Sequence, residues 1–217
     1  MSYLQDNSAF LGTGERDRKG KTLQELLDAY DPKKYDCPSN TVDIAVFAEG
    51  ELLLIRRGGH PNIGMFALPG GFVELREDLE TAAARELMEE TGVRDLPLVQ
   101  VKTFGAWDRD PRWRVITTLY AAVLPEKPTA KAGDDAADAV WFAWSLEERP
   151  AEEGTDLLLS LTAGDRRLSV KATRVRRGND RLWEYRYVNY EADGIAADHG
   201  ILILEAIRRV REENVHC

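Results

Sequence analysis

The stretch GGFVELREDLETAAARELMEETGV, residues 70–93, decides the reading of this chain. Its second half predicts a helix over residues 78–91. Asp78 stands where an N-cap belongs, alanines and leucine follow, and Gly92 sits where a left-handed residue closes a helix. On that helix Glu86, Glu89 and Glu90 lie at i, i+3 and i+4, so their carboxylates share one face. Ala83, Ala84, Leu87 and Met88 supply an adjoining apolar side, suited to packing on a sheet. Three like charges on neighbouring turns repel, and Arg85 is the one base among them. Taken alone, such a stripe is more often a solvated helix face. Its chemical alternative is a bound divalent cation, Mg2+ or Mn2+, because these ions prefer oxygen ligands.

Working outward, residues 41–47 and 51–57 read as two strands joined at Glu49-Gly50. Residues 58–65 read as loop, and 66–73 as extended chain interrupted by Pro69-Gly70-Gly71. After the helix, residues 98–104 and 115–124 read as strands around a charged loop at 107–114. A polar loop at 125–139 leads to a short strand at 140–144. Ser145 and Glu148 have capping-box spacing, which predicts a brief helix there. Residues 157–162, 168–173 and 182–188 read as three more strands, and Asp198 caps a last helix ending near Glu213. The first 40 residues form an N-terminal extension with one short helix, announced by Thr22 and Glu25 at capping-box spacing. Hairpins at both ends, without regular βαβ alternation, favour a mixed or antiparallel sheet flanked by helices over a doubly wound parallel sheet.

The chain has 217 residues, 43% hydrophobic and 31% charged. That is enough to bury a core without disulfides and excludes wholesale disorder. No apolar run approaches the roughly 18 residues that a membrane helix needs, and residues 1–10 lack the pattern of a secretory signal. Two cysteines, Cys37 and Cys217, make no disulfide framework, so a cytoplasmic location and no membrane partner are expected. A formal net charge of −9 disfavours nucleic acid as a partner. It leaves an anionic substrate open, since a bound dication reverses the local sign.

Gly71, five residues, Glu77, seven residues, Arg85-Glu86-Leu87, one residue, Glu89-Glu90, one residue, Gly92-Val93: this order resembles the Nudix box, and every defined position matches. The resemblance covers residues 41–144 and the last helix. It implies an α+β fold, an α/β/α sandwich whose mixed β-sheet is flanked by helices, spanning residues 41–217. An extra antiparallel β insertion at about 157–190 lies outside it, as does the 1–40 extension. It also implies metal ligation by Glu86 and Glu90, by Glu89 toward a further ion, and by the carbonyl of Gly70. Glu77 and Arg85 become an ion pair that orients the carboxylates. The implied reaction is hydrolysis of a nucleoside diphosphate derivative with Mg2+ (or Mn2+). A general base would come from the loop before Trp141, with Asp135 preferred over Asp134 and Asp138, because relatives carry an acid about six residues before that Trp.

Residues 104–115, FGAWDRDPRWRV, resemble a segment of ADP-ribose pyrophosphatases and of Nudix regulators of NAD metabolism, as does the run 56–71. Trp113 departs from the glycine usual there. Arg56, Arg57, Arg109 and Arg112 are candidates to hold phosphates through forked hydrogen bonds. Phe66 and Trp107 are candidates to stack on adenine. The expected substrate is a small nucleotide diphosphate, ADP-ribose first, giving AMP and ribose 5-phosphate, and a homodimer is expected. Two alternatives stand beside it. One is an ADP-ribose-sensing regulator, for which the last helix leaves no room for an appended winged helix. The other is a pyrophosphohydrolase of RNA ends or other nucleotides. It would use the basic segment 163–187, where Trp183, Tyr185 and Tyr187 alternate on one strand face.

Overall fold

A computed structural model describes residues 3–130 and 136–214, in two compact units, Met1–Cys37 and Pro38–Cys217. The first unit buries none of its described residues and carries one helix, α1 (Leu23–Asp28). Its capping box forms as the spacing predicts. Glu25 N–H donates to Thr22 Oγ1 at 3.2 Å, and Thr22 N–H to Glu25 Oε2 at 2.7 Å.

The second unit contains β1 (Ser39–Ala48), β2 (Glu51–Arg57), β3 (Phe66–Ala67), β4 (Gly70–Phe72), α2 (Leu79–Thr91), β5 (Val99–Phe104), β6 (Val115–Leu124), β7 (Ala136–Ala151), β8 (Gly154–Ala163), β9 (Arg166–Gly178), β10 (Trp183–Asp193) and α3 (His199–Asn214). The strands run β10-β9-β8-β7-β2-β1-β6-β5, with β3 added to β2 and β4 to β1. β1 and β6 pair in parallel, from Ser39 opposite Val115 to Ala48 opposite Leu124, and the other strand pairs are antiparallel. The sheet is therefore mixed and the class α+β.

β1 is apolar almost throughout because both its faces are covered. Val42, Ile44 and Val46 pack with Leu53 and Tyr120 against Ala82, Ala83 and Leu87 of α2. Ala45 and Phe47 face the other layer, with Leu52, Leu54, Leu119, Phe142 and α3. Residues 202–207 of α3 are each at most 2% exposed. A helix buried on every side must be wrapped rather than merely flanked, and here the sheet curls around it. β5 and β10, at opposite ends of the strand order, both contact α3. Lys102 of β5 donates to the Tyr185 carbonyl of β10 at 3.1 Å. The buried Glu205 of α3 holds this closure, accepting from the Tyr187 hydroxyl at 2.8 Å and from Arg208 Nη2 at 2.9 Å.

Two local expectations are corrected. Residues 145–148 are strand, not helix: β7 runs 16 residues, pairing with β2 through its first half and with β8 through its second. Phe142, Trp144 and Leu146 alternate onto the α3 side, where Leu157, Leu159 and Leu161 of β8 need covering. That period-two burial outweighs a local cap. The loop expected to run to residue 139 likewise ends earlier, since residues 136–139 already pair with β2. Strands β8–β10, reaching from Gly154 to Asp193, are thus continuous with the central sheet.

Candidate active site

α2 starts after Asp78, which holds the N-cap position without a side-chain hydrogen bond, and ends at Gly92 (φ 71°), whose N–H donates to Met88 O at 2.8 Å. Packing Ala82, Ala83 and Leu87 on the sheet turns the glutamates outward, beside β4. Gly71 of β4 lies so close to Glu86 that a Cβ there would overlap its carboxylate. Gly70 N–H donates to Glu90 Oε2 at 2.8 Å.

Arg85 is the hub of the acidic cluster. Its guanidinium grips Glu77 through Nε (2.8 Å) and Nη2 (2.9 Å), and reaches Glu86 at 2.8 Å, Glu89 at 2.9 Å and the Phe72 carbonyl at 3.0 Å. The Glu77 carboxylate raises the guanidinium pKa, and the same bonds hold the Glu77 carboxyl below its ordinary value. Burial pushes Glu86 up. Burial, reinforced by the charges of Glu86 and Asp43, lifts Glu90 to about 7 against the opposing Gly70 N–H and Arg57. One guanidinium thus serves three carboxylates, while Glu90 is desolvated without a direct cation.

Glu86, Glu90, Gly70 and Gly71 line one wall of a cleft of about 650 Å³. Arg57, His60, Arg109, Asp110, Arg112, Asp43 and His199 complete it. Arg57 donates Nε–H to the Pro61 carbonyl at 2.8 Å. Arg109 forms a forked pair with Asp198 at 2.9 and 3.0 Å, joining the β5–β6 loop to the start of α3. Arg112 forks onto Asp110 at 2.8 and 3.0 Å and covers the Phe72 ring.

The remaining candidates lie elsewhere. Arg56 binds the Gly64 carbonyl outside the cleft lining. Phe66 is 6% exposed, set edge-on to Phe142, so it offers no face to a base. Trp107 and Trp113 are exposed. Asp138 is held by Arg166 at 2.7 Å. Asp134 and Asp135 lie outside the described residues. Asp43, His199 and the Asp198 partner of Arg109 are cleft residues that sequence reasoning did not assign there. A lone acid inside the apolar β1 run was the signal for Asp43; nothing in the pattern announced His199.

The donor set fits a hard dication: it is all oxygen, anionic in excess of the one guanidinium serving it, and backed by a glycine whose missing Cβ leaves Glu86 its room. Among the described residues, no three acidic, histidine or cysteine side chains already converge as a closed cage. Arg85 Nη1 bridges Glu86 and Glu89, while Gly70 N–H holds Glu90.

The NUDIX domain model matches residues 38–158, more than half of the chain, and the protein belongs to that family. It is 42% identical over 107 residues to an ADPR responsive transcriptional repressor, NtrR, of Acinetobacter baylyi, covering 46% of this chain and 43% of the repressor. It is 39% identical over 124 residues to an ADP-ribose pyrophosphatase of Methanocaldococcus jannaschii, covering 55% of this chain and 72% of that enzyme. The chain thus spans less than half the length of the first curated relative. The crystal structure of a MutT/nudix family protein from Enterococcus faecalis superposes with a TM-score of 0.68 at 30% identity, over 96% of this chain and 76% of that one.

Proposed function

We propose that this protein is a divalent-cation-dependent hydrolase of the diphosphate bridge in nucleoside diphosphate derivatives, with ADP-ribose cleaved to AMP and ribose 5-phosphate. The observation that carries the reading is Glu90, a desolvated carboxylate at the cleft wall, one turn from Glu86 and bonded to the glycine backbone facing it. Similarity to an ADP-ribose pyrophosphatase supports the substrate.

In this reading Glu86 and Glu90, with Glu89 and the Gly70 carbonyl, hold Mg2+ or Mn2+. The bound cation supplies charge neutralisation at the diphosphate and an acidified water. Arg85, fixed by Glu77, keeps Glu86 and Glu89 oriented. Arg57, Arg109 and Arg112 line the cavity with positive charge for the phosphates and ribose, although Arg109 and Arg112 must share themselves with Asp198 and Asp110. Asp135 is the proposed base, taking the proton of the attacking water. We assign the activity to residues 41–217, working as a homodimer in the cytoplasm, with 1–40 an appended segment. No helix is long and apolar enough to cross a membrane among the described residues.

The test is phosphate release, coupled to a phosphatase, over a panel of nucleoside diphosphate derivatives with Mg2+. Turnover of ADP-ribose supports the proposal, and turnover of none of the panel removes it. A second reading, ADP-ribose sensing coupled to DNA, draws on the similarity to the repressor. Tight DNA binding in a gel shift, without hydrolysis, would establish that reading instead.

A further inference from the structure

We propose that His199 is a substrate-binding residue, a neutral imidazole whose Nε2–H is fixed toward the cleft to donate to an oxygen of the diphosphate. The inference rests on the reading above and deepens it.

The orientation of the ring comes from the backbone. Residues 194–196 lie alongside Phe66 as a parallel bridge, with Phe66 N–H donating to Gly194 O and Ala196 N–H to Phe66 O, both at 2.8 Å. This seats the first turn of α3 against the chain just ahead of the box glycines. Leu68 N–H then donates to His199 Nδ1 at 3.2 Å. A nitrogen that accepts a hydrogen bond carries no proton, so the neutral ring must carry its proton on Nε2. Nε2 has no partner among the described residues. Nor is it one of the buried polar atoms left unsatisfied, which are Trp144 Nε1 and Arg174 Nε. With its side chain 13% exposed, His199 therefore opens Nε2–H onto the space it lines, the cleft.

Position argues for the diphosphate as acceptor. Leu68 N–H holds the imidazole and Gly70 N–H holds Glu90. Two residues of chain span at most about 7 Å, so one short backbone segment anchors both the imidazole and the acidic wall. Asp43, also in the cleft lining, stands on the Nδ1 side of the ring, its Oδ1 3.7 Å from Nδ1 and its Oδ2 taken by the Thr117 hydroxyl at 2.6 Å. A donor without charge leaves the carboxylates free for dications. Because Nε2 is protonated, His199 is not the general base.

The test uses the full chain with 15N-labelled histidine. There are three histidines, and His199 is assigned from a His199→Gln spectrum. Long-range 15N–1H correlations should show the neutral Nε2–H tautomer, and an α,β-methylene analogue of ADP-ribose with Mg2+ should shift its resonances. In turnover, His199→Phe should lose about ten- to a hundredfold in kcat/KM, the range for one hydrogen bond to a charged acceptor. His199→Gln, which returns an N–H near the same place, should recover much of the loss, and Mn2+ affinity by calorimetry should be unchanged in both. An Nδ1–H tautomer bonded to Asp43 would make Nε2 an acceptor and overturn the proposal. So would His199→Phe within twofold of wild type, or loss of Mn2+ binding in parallel with turnover. Failure of the wild type to hydrolyse any nucleoside diphosphate derivative would instead remove the proposed function. The tautomer and the analogue-induced shift would still decide the role of the ring.

Discussion

Glu90→Gln should stabilise the metal-free protein while destroying its proposed activity. Glu90 is lifted from 4.5 to about 7, chiefly by burial. The unfolded chain therefore releases this proton at lower pH than the folded one, and stability falls as pH rises from about 4.5 to 7, then levels off. At about 1.4 kcal/mol per unit, the ionised carboxylate costs the fold about 3 kcal/mol at pH 8. Glutamine keeps an oxygen to accept from Gly70 N–H and removes the charge. In EDTA at pH 8 the variant should melt roughly 6–12 °C above wild type for a domain of this size. At pH 4.5 the two should nearly coincide, because wild type is then protonated. Saturating Mg2+ should raise the wild type selectively, by about 2.7 kcal/mol at a hundred times Kd, and close the gap. Differential scanning calorimetry over pH 4.5–8.5, with EDTA or Mg2+, reads all of this. A variant that melts below wild type in EDTA at pH 8, or a gap that ignores pH, would refute the placement of Glu90 as a buried, unneutralised carboxylate.

Gly71→Ala should fold with little loss, since the crowding atoms belong to the end of a side chain, but it pushes the Glu86 carboxylate aside. Mn2+ affinity by calorimetry should fall at least tenfold, and unchanged affinity would disconnect Glu86 from the metal. Glu205→Ala should lower stability by about 1–3 kcal/mol, because it leaves the buried Tyr187 hydroxyl without its acceptor and leaves Arg208 to Glu212 alone; urea denaturation measures it. Arg176→Glu with Arg177→Glu should leave ADP-ribose turnover unchanged. These arginines sit on the β9–β10 hairpin away from the cleft, where Arg176 lies over the Trp183 ring. A loss of small-substrate turnover would implicate that hairpin in the reaction.

What the sequence discloses depends on whether a feature is local. The box from Gly71 to Val93 is a run in which spacing alone puts three carboxylates on one helix face, and the helix ends at Gly92 as the pattern requires. The strands flanking it are legible because β1, β2 and β6 are largely apolar and β-branched over short runs. The short helix at 145–148 fails for the opposite reason. Its capping residues are local, while the need to cover Leu157, Leu159 and Leu161 comes from β8, and β7 pairs to meet it. The wrapping of α3 is equally invisible, since it follows from the length and curl of a sheet assembled by four successive hairpin partners.

The far wall of the cleft shows the same division at the level of single atoms. Arg109 reads as a phosphate-binding arginine in isolation, yet 89 residues further on Asp198 takes both arms of its fork. Its immediate neighbour, His199, meets a backbone amide 131 residues before it. Neither partner can be read from spacing, because strands β8–β10 intervene and lead the chain to α3. Residues 154–193 therefore do more than extend the sheet. The covalent path from the acidic wall to its opposite wall runs through them, so strands β8–β10, although they carry none of the box, set where Asp198 and His199 arrive.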